Sequence, residues 1–461
     1  MDPPAEGCPL CGSTWGDWWE AIDGVPTFFC CQICAIQWRT ILGEVRHRAG
    51  WTGPMAVELK GNRWGRTGVA TRGGDAVRFS VVFTPDGRLR RFDLLEPLPT
   101  SAAPPAPAAP PEAPPPAAPP PPPVPPGPET MHPKLVERLE FEAETYPDLT
   151  TVPVEEGREF VREMASELGR IAGPVPSVSQ ITNSSYRCGD HRVPVRIYTP
   201  VDGDPPFPVV VLLHGGGFVF GDLDTHDGLS RELANRSRAV VVTVGFRRAP
   251  EFPYPNAVED AFAAFAWVAL PTTAARLQLD PDRLAVVGDD TGAALALAAA
   301  MLARERGGPA PRAAALVCPV LARAPDVPSY REFAVGAGLE AAFLEWAWAQ
   351  YLPTADDAAD PHAVPWAATD LAGLPPTLLL TAGCDPARDE GEKFGERLRA
   401  AGVETTVRRY SGMLHAFLDY RGVVEDGWHA MEELGEWLRA ALEPARTAPP
   451  AAAAPPSAAT G

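Results

Sequence analysis

Between Pro99 and Pro128, 17 of 30 residues are proline and most of the others are alanine. Such a run lacks amide donors and has φ fixed, so neither a helix nor a sheet can pass through it. It predicts a semi-rigid polyproline spacer over 99–130, with a reach of up to ~90 Å at about 3.1 Å per residue. The chain is thereby divided into two units with separate cores, 1–98 and 131–442. The stretch 443–461 repeats the Pro/Ala composition and is expected to be disordered. The spacer, like the first unit, is a candidate contact for a protein partner, for instance a module with an aromatic-lined proline groove.

Elsewhere the composition is that of a globular protein, 45% hydrophobic and 21% charged. No run of about eighteen apolar residues exists, so no membrane span is expected. The start, Met1-Asp2-Pro3-Pro4, shows neither a basic nor an apolar leader region, and a cytoplasmic location follows by default. The net charge of −19 argues against non-specific nucleic-acid binding, which requires clustered Lys and Arg. The excess charge sits in the second unit, since residues 1–98 hold eleven acidic and eleven basic side chains. Seven arginines between Arg63 and Arg91 read as a solvated strand face.

In the first unit, Gln32 to Arg48 has helical spacing of Ile33, Ile36, Ile41 and Val45. Strand-like runs follow at 56–59, 68–71, 76–84 and 88–95, the last two joined by Pro85-Asp86-Gly87. This is a small α+β module. Ahead of it lie Cys8-Pro-Leu-Cys11 and Cys31-Gln-Ile-Cys34, two C-x₂-C pairs separated by nineteen residues. Four thiolates on two facing knuckles suit a closed tetrahedral zinc site, the staple that so small a core needs; the adjacent Cys30 could substitute for Cys31, though the spacing of the second pair favours Cys31. Cys188, Cys318 and Cys384 are isolated and read as small apolar residues. The segments Cys8-Pro-Leu-Cys-Gly-Ser-Thr-Trp-Gly-Asp-Trp-Trp-Glu20 and Phe28-Phe-Cys-Cys-Gln-Ile-Cys34 resemble a small archaeal family of zinc-binding proteins over residues 7–96. That resemblance brings no activity with it.

The second unit alternates strands and helices, the pattern of a parallel sheet covered on both faces. Strands are predicted at 180–187, 192–198, 209–213, 239–245, 284–287, 313–317, 377–381 and 405–409. Helices are predicted at 133–144, 155–169, 256–270, 291–304, 389–401 and 431–442.

Four motifs fall at strand ends. His214-Gly-Gly-Gly-Phe218 follows a buried strand, and its glycines let amides turn toward a developing oxyanion. Gly288-Asp-Asp-Thr-Gly292 keeps the G-x-nucleophile-x-G frame of a strained strand-to-helix turn, with Asp290 where a serine is expected. Asp385 can orient an imidazole, and Asp385-Pro386 also suits the start of a helix. His415 comes last, completing the chain order nucleophile, acid, histidine.

Together with Gly221-Asp-Leu-Asp-Thr-His-Asp227, Arg247-Arg-Ala-Pro-Glu251, Pro255-Asn-Ala-Val-Glu-Asp260 and Asp385-Pro-Ala-Arg-Asp-Glu-Gly391, these motifs resemble the hormone-sensitive-lipase family of bacterial carboxylesterases from Met131 to Leu442. The resemblance implies an α/β-hydrolase fold with an N-terminal helical lid built from the helices before Ile171. It implies an oxyanion hole of Gly215, Gly216 and the Thr291 amide, a small hydrophobic ester-like ligand, and no cofactor for this unit.

The departures cluster at the centre: Asp290 for the serine, Thr291-Gly292-Ala293 for Ala-Gly-Gly, Gly245-Phe246-Arg247 for Asp-Tyr-Arg, and Ala416 for a glycine. A carboxylate attacking an ester yields an anhydride rather than a labile acyl-enzyme, and its charge opposes an oxyanion. The leading expectation is a degenerate esterase that keeps its ligand pocket. A second is an active hydrolase using Asp290 on saturated carbon, as in epoxide hydrolases and dehalogenases of this fold. A third is a scaffold or interaction role led by the zinc module.

Overall fold

The computed structural model falls into two compact units, Met1–Pro120 and Pro121–Gly461. It describes residues 18–22, 25–29, 32–49, 51, 55–61, 65–72, 75–83 and 89–95 of the first, and 129–354 and 356–443 of the second. Cys8, Cys11 and Cys31 lie outside the described residues, as do most of 99–130 and 443–461.

In the first unit a hairpin, β1 (Trp18–Ile22) with β2 (Val25–Phe29), precedes helix α1 (Gln32–Ala49). Four strands then form an antiparallel meander: β3 (Ala56–Gly61), β4 (Gly65–Arg72), β5 (Asp75–Phe83) and β6 (Leu89–Leu95). Trp38, Ile41, Leu42 and Val45 of α1 are buried, as are Phe79, Val81 and Phe92 of the sheet. The rings of Phe79 and Phe92 stack at 5.2 Å. Cys34 falls in the first turn of α1.

The second unit opens with helices α2 (Pro133–Thr145) and α3 (Val154–Ile171) and the antiparallel pair β7 (Gln180–Cys188) and β8 (His191–Thr199). There follow β9 (Phe207–Leu213), α4 (Asp227–Ser237), β10 (Val240–Val244), α5 (Asn256–Ala269), α6 (Pro271–Leu277), β11 (Leu279–Asp289) and α7 (Thr291–Arg306). The chain continues through β12 (Ala313–Val317), α8 (Pro328–Glu332), α9 (Ala341–Tyr351), β13 (Thr377–Cys384), α10 (Arg388–Ala400), β14 (Thr405–Leu414) and α11 (Glu425–Ala441). The eight strands pair in the order β14-β13-β12-β11-β9-β10-β8-β7, parallel from β14 to β10.

Why the strands read as unbroken apolar runs follows from their burial on both faces. In β9, Val209, Val211 and Leu213 enter one core cluster with α5, α7 and α9, while Val210 and Leu212 enter another with α4 and α11. Helix α7 is buried from Thr291 through Ala303, and its alanines let it lie close to the sheet. Among the described residues, no helix is long and apolar enough to cross a membrane.

Candidate active site

Because β14, β13, β12, β11 and β9 are neighbours and parallel, their C-terminal ends converge, which is where α/β sheets place ligands. Asp290 sits between β11 and α7 with φ 50° and ψ −127°, a sparsely populated conformation for a residue with a side chain. The turn is possible because its flanks are small. A Cβ on Gly288 would collide with the Gly292 carbonyl, and one on Gly292 with that of Leu213.

The glycine loop after β9 wraps this turn. Gly216 N–H and Gly217 N–H both donate to Asp290 Oδ2, at 2.7 and 2.9 Å. Gly216 has φ 113°, and a side chain there would strike the Phe220 backbone. Gly215 N–H is directed elsewhere, to Asp289 Oδ1 at 3.0 Å. The amide pair that meets on one oxygen is therefore Gly216 and Gly217, not the expected Gly215 and Gly216, because the Asp289 carboxylate engages the first glycine. Thr291 takes part through its hydroxyl. Its Oγ1 accepts from Phe218 N–H at 3.1 Å and donates to Asp290 Oδ2 at 3.2 Å.

Asp385 follows β13 and His415 follows β14 directly. His415 Nδ1 lies 2.9 Å from Asp385 Oδ2, and Asp385 Oδ1 accepts the Ala387 amide at 2.8 Å. The aspartate thus both opens the turn into α10 and orients the imidazole. On the other ring edge, His415 Nε2 lies 3.4 Å from Asp290 Oδ1, within ion-pair range but off hydrogen-bond alignment. Burial disfavours charge on His415, yet the two flanking carboxylates outweigh it and raise its pKa well above the ordinary value. Burial likewise pushes the Asp290 carboxyl up, but contact with His415 and the Gly217 and Gly216 amides holds it below the usual range.

Several further members of the site had no role assigned from the sequence, although Asp289, His226 and His214 fall within its motifs. Asp289, the residue before Asp290 in the elbow, is met by an imidazole: His226 Nε2 lies 3.2 Å from Asp289 Oδ2, and His226 Nδ1 lies 2.8 Å from Thr225 Oγ1. Burial opposes charge on His226, but Asp289 outweighs it and the pKa is pushed up to about 9. His214 stacks on Phe246 at 4.2 Å, and burial, with the His226 charge, drives its pKa down to about 3. Cys318 also enters the centre: its Sγ, an Asp385 oxygen and a His415 nitrogen lie within 4.8 Å of one another. Burial and the nearby carboxylates push that thiol well above its ordinary value, which keeps it a neutral packing group.

The approach to Asp290 is apolar. Phe343 and Ala347 of α9 lie against Gly217, and Phe220, Phe343 and Trp346 form an aromatic cluster with ring centroids 5.6–6.0 Å apart. Helix α3 closes in from the N-terminal side. A side chain at Gly157 would strike Phe220, and buried Arg158 donates to the carbonyls of Val219 and Ala249 at 3.0 Å each while pairing with Glu251.

Residues 210–419 match the family model described as alpha/beta hydrolase fold, and residues 5–95 match the Ta0938 family model. The chain is 36% identical to an ethyl acetate hydrolase of Pseudomonas putida over 291 residues, 62% of this chain and 91% of that protein. It is 38% identical to the esterase LipI of Mycobacterium tuberculosis over 279 residues, 59% of this chain and 84% of the relative. Among solved structures, a hyperthermophilic esterase from Pyrobaculum calidifontis superposes with a TM-score of 0.63 at 34% identity, covering 68% of this chain and all of the other. With the strand order, the glycine loop and the elbow already in place, these likenesses make the chain a member of the hormone-sensitive-lipase-like carboxylesterase family of α/β-hydrolases.

Proposed function

We propose that the second unit has lost serine-type ester hydrolysis and keeps a pocket for small hydrophobic ester-like ligands. The observation that carries this reading is the placement of Asp290 Oδ2 on the Gly216 and Gly217 amides. In a serine hydrolase such donors receive the carbonyl oxygen as it gains charge. Here they are engaged by an ionised side chain at the position where Asp290 stands for the nucleophilic serine. Asp385 and His415 remain arranged as acid and base. Asp290→Ser should therefore give the protein activity on short-chain nitrophenyl esters that the native chain lacks. Native ester hydrolysis abolished by His415→Ala would sink the reading.

One observation favours a second reading, in which Asp290 attacks saturated carbon. Its Oδ1 lies outside the amide pair and faces His415 Nε2 at 3.4 Å. Oδ1 would form the new C–O bond while a halide or strained-ring oxygen leaves with the electron pair. Water activated by His415 would then attack Cγ, the charge on Oδ2 would rest on the two amides, and the Cγ–Oδ1 bond would break to release the alcohol. Turnover in heavy-oxygen water should leave label in the Asp290 carboxylate. An unlabelled Asp290 after turnover would rule this out.

For the first unit we propose a structural zinc held by Cys8, Cys11, Cys31 and Cys34. The paired C-x₂-C spacing supports it, as does a family match that covers all four residues. Metal analysis should give one zinc per chain, lost in Cys8→Ser. The two units should also melt independently, so cleavage within 99–128 should leave both thermal transitions in place. A partner protein for the zinc module or the spacer would give that unit its role.

A further inference from the structure

The amides of Gly216 and Gly217 are held in place by contacts that do not involve Asp290. Gly215 N–H donates to Asp289 Oδ1, Phe218 N–H to Thr291 Oγ1, and Phe220 N–H to the Gly216 carbonyl at 2.8 Å. Arg158 Nε holds the Val219 carbonyl. Across the site, Asp385 fixes His415, whose Nε2 is buried and has no hydrogen-bond partner of its own. Thr291 Oγ1 adds a third donor toward Asp290 Oδ2. Two amides, a hydroxyl and an imidazole thus converge on one carboxylate, and a single methylene ties that carboxylate to the chain.

We infer that these groups form a built carboxylate-binding site whose occupant is the chain's own Asp290, and that a free monocarboxylate of matching size takes the site when that side chain is shortened. The inference rests on reading Asp290 as the occupant of the oxyanion hole. It needs no catalysis. In the native chain the tethered group meets the cradle at a high effective concentration, so free carboxylates do not displace it.

Size sets the selectivity. Asp290→Ala removes only the carboxylate, which leaves room for formate. Asp290→Gly removes the methylene as well, which leaves room for acetate, and glycine accepts the φ of 50° without strain.

The test uses the full chain in three forms: native, Asp290→Ala and Asp290→Gly. Sodium formate and sodium acetate are titrated at ionic strength held constant with sodium chloride, and both the melting temperature and the heat of binding are followed. Expected is saturable binding in both variants and none in the native protein. Formate should bind the Ala variant at least threefold more tightly than acetate does, and the order should reverse in the Gly variant. Adding His415→Gln should weaken either affinity about tenfold, or about 1.4 kcal/mol. Absence of saturable binding in both variants overturns the site. So does one order of preference in both variants, or an equal response of the native chain. If a shortened variant is unfolded alone, recovery of the fold by the matching carboxylate supports the site, and failure to recover it counts against the site. Ester hydrolysis by Asp290→Ser without carboxylate binding by the other variants would sink this site and spare the functional reading. Carboxylate binding without ester hydrolysis would do the reverse.

Discussion

Asp289 and Asp290 are adjacent, yet they do different work with the same two kinds of partner. Each carboxylate meets an imidazole, His226 for Asp289 and His415 for Asp290, and each accepts glycine-loop amides. Asp289 is the last residue of β11 and turns away from Asp290 to lock the loop from behind. Asp290, one residue on, has a positive φ and turns its carboxylate onto the Gly216 and Gly217 amides. The first carboxylate holds the loop; on our proposal the second stands where the nucleophile would act.

The largest expected effect comes from exchanging the chemistry at the second position. Asp290→Ser should raise the rate of nitrophenyl acetate hydrolysis on the order of 10³-fold over the native protein, because acid, histidine and amides are already in place. The gain should stop short of a full serine esterase, since Thr291 and Ala293 stand where smaller groups are expected. Asp289→Ser should give no gain at all. A gain at 289 and none at 290 would invert the comparison.

Next in size is stability. Asp289→Ala leaves a buried His226 without its main partner and the Gly215 amide without an acceptor, at a cost of about 3–5 kcal/mol. Asp290→Ala should cost about half as much, because His415 keeps Asp385. Denaturant melts of the two variants would measure the difference. Equal losses would mean that Asp290 is as structural as its neighbour.

Titration sharpens the same contrast. His226 has its pKa raised to about 9 in the folded protein, against about 6.5 in an unfolded chain. The stabilisation from its charge is fully present below pH 6.5 and is lost as the pH rises through 9. The native melting temperature should fall between pH 6.5 and 9.5, with about 3 kcal/mol at stake. Asp289→Asn should flatten that fall. If the slope persists in the variant, other groups carry it.

The sheet was legible in the sequence to within a residue or two at most strand ends, since apolar runs between turn signals have few other uses. The helix α9 was not. Its segment, Ala341-Ala-Phe-Leu-Glu-Trp-Ala-Trp-Ala-Gln-Tyr351, is apolar on nearly every side, so no stripe sets off a core face. With it went the aromatic wall. Asp290, Asp385 and His415 were legible because chain order and strand ends converge on them. The pairing of His226 with Asp289 was not, for the two lie 63 residues apart in separate motifs and neither motif points to the other. Gly217 takes the place expected of Gly215 because Gly215 N–H is held by Asp289, and the motif does not specify which amide faces which carboxylate.

The smallest expected effect concerns backbone strain, and here the two positions should differ in sign. Asp290 has φ 50°, where a Cβ is crowded and glycine is not. Asp289 is an ordinary strand residue, where glycine loses more chain entropy on folding than alanine does. In chloride buffer without added carboxylate, Asp290→Gly should therefore be more stable than Asp290→Ala by about 1 kcal/mol. At 289 the order should reverse, with Gly less stable than Ala by roughly 0.5–1 kcal/mol. Both pairs remove the same polar atoms, so comparing Gly with Ala at each position cancels the lost hydrogen bonds and ion pairs and leaves the backbone. Four chemical denaturation curves suffice. The same sign at both positions would show that the elbow relaxes once its side chain is gone, and that Asp290, rather than the glycines around it, holds the turn in its strained form.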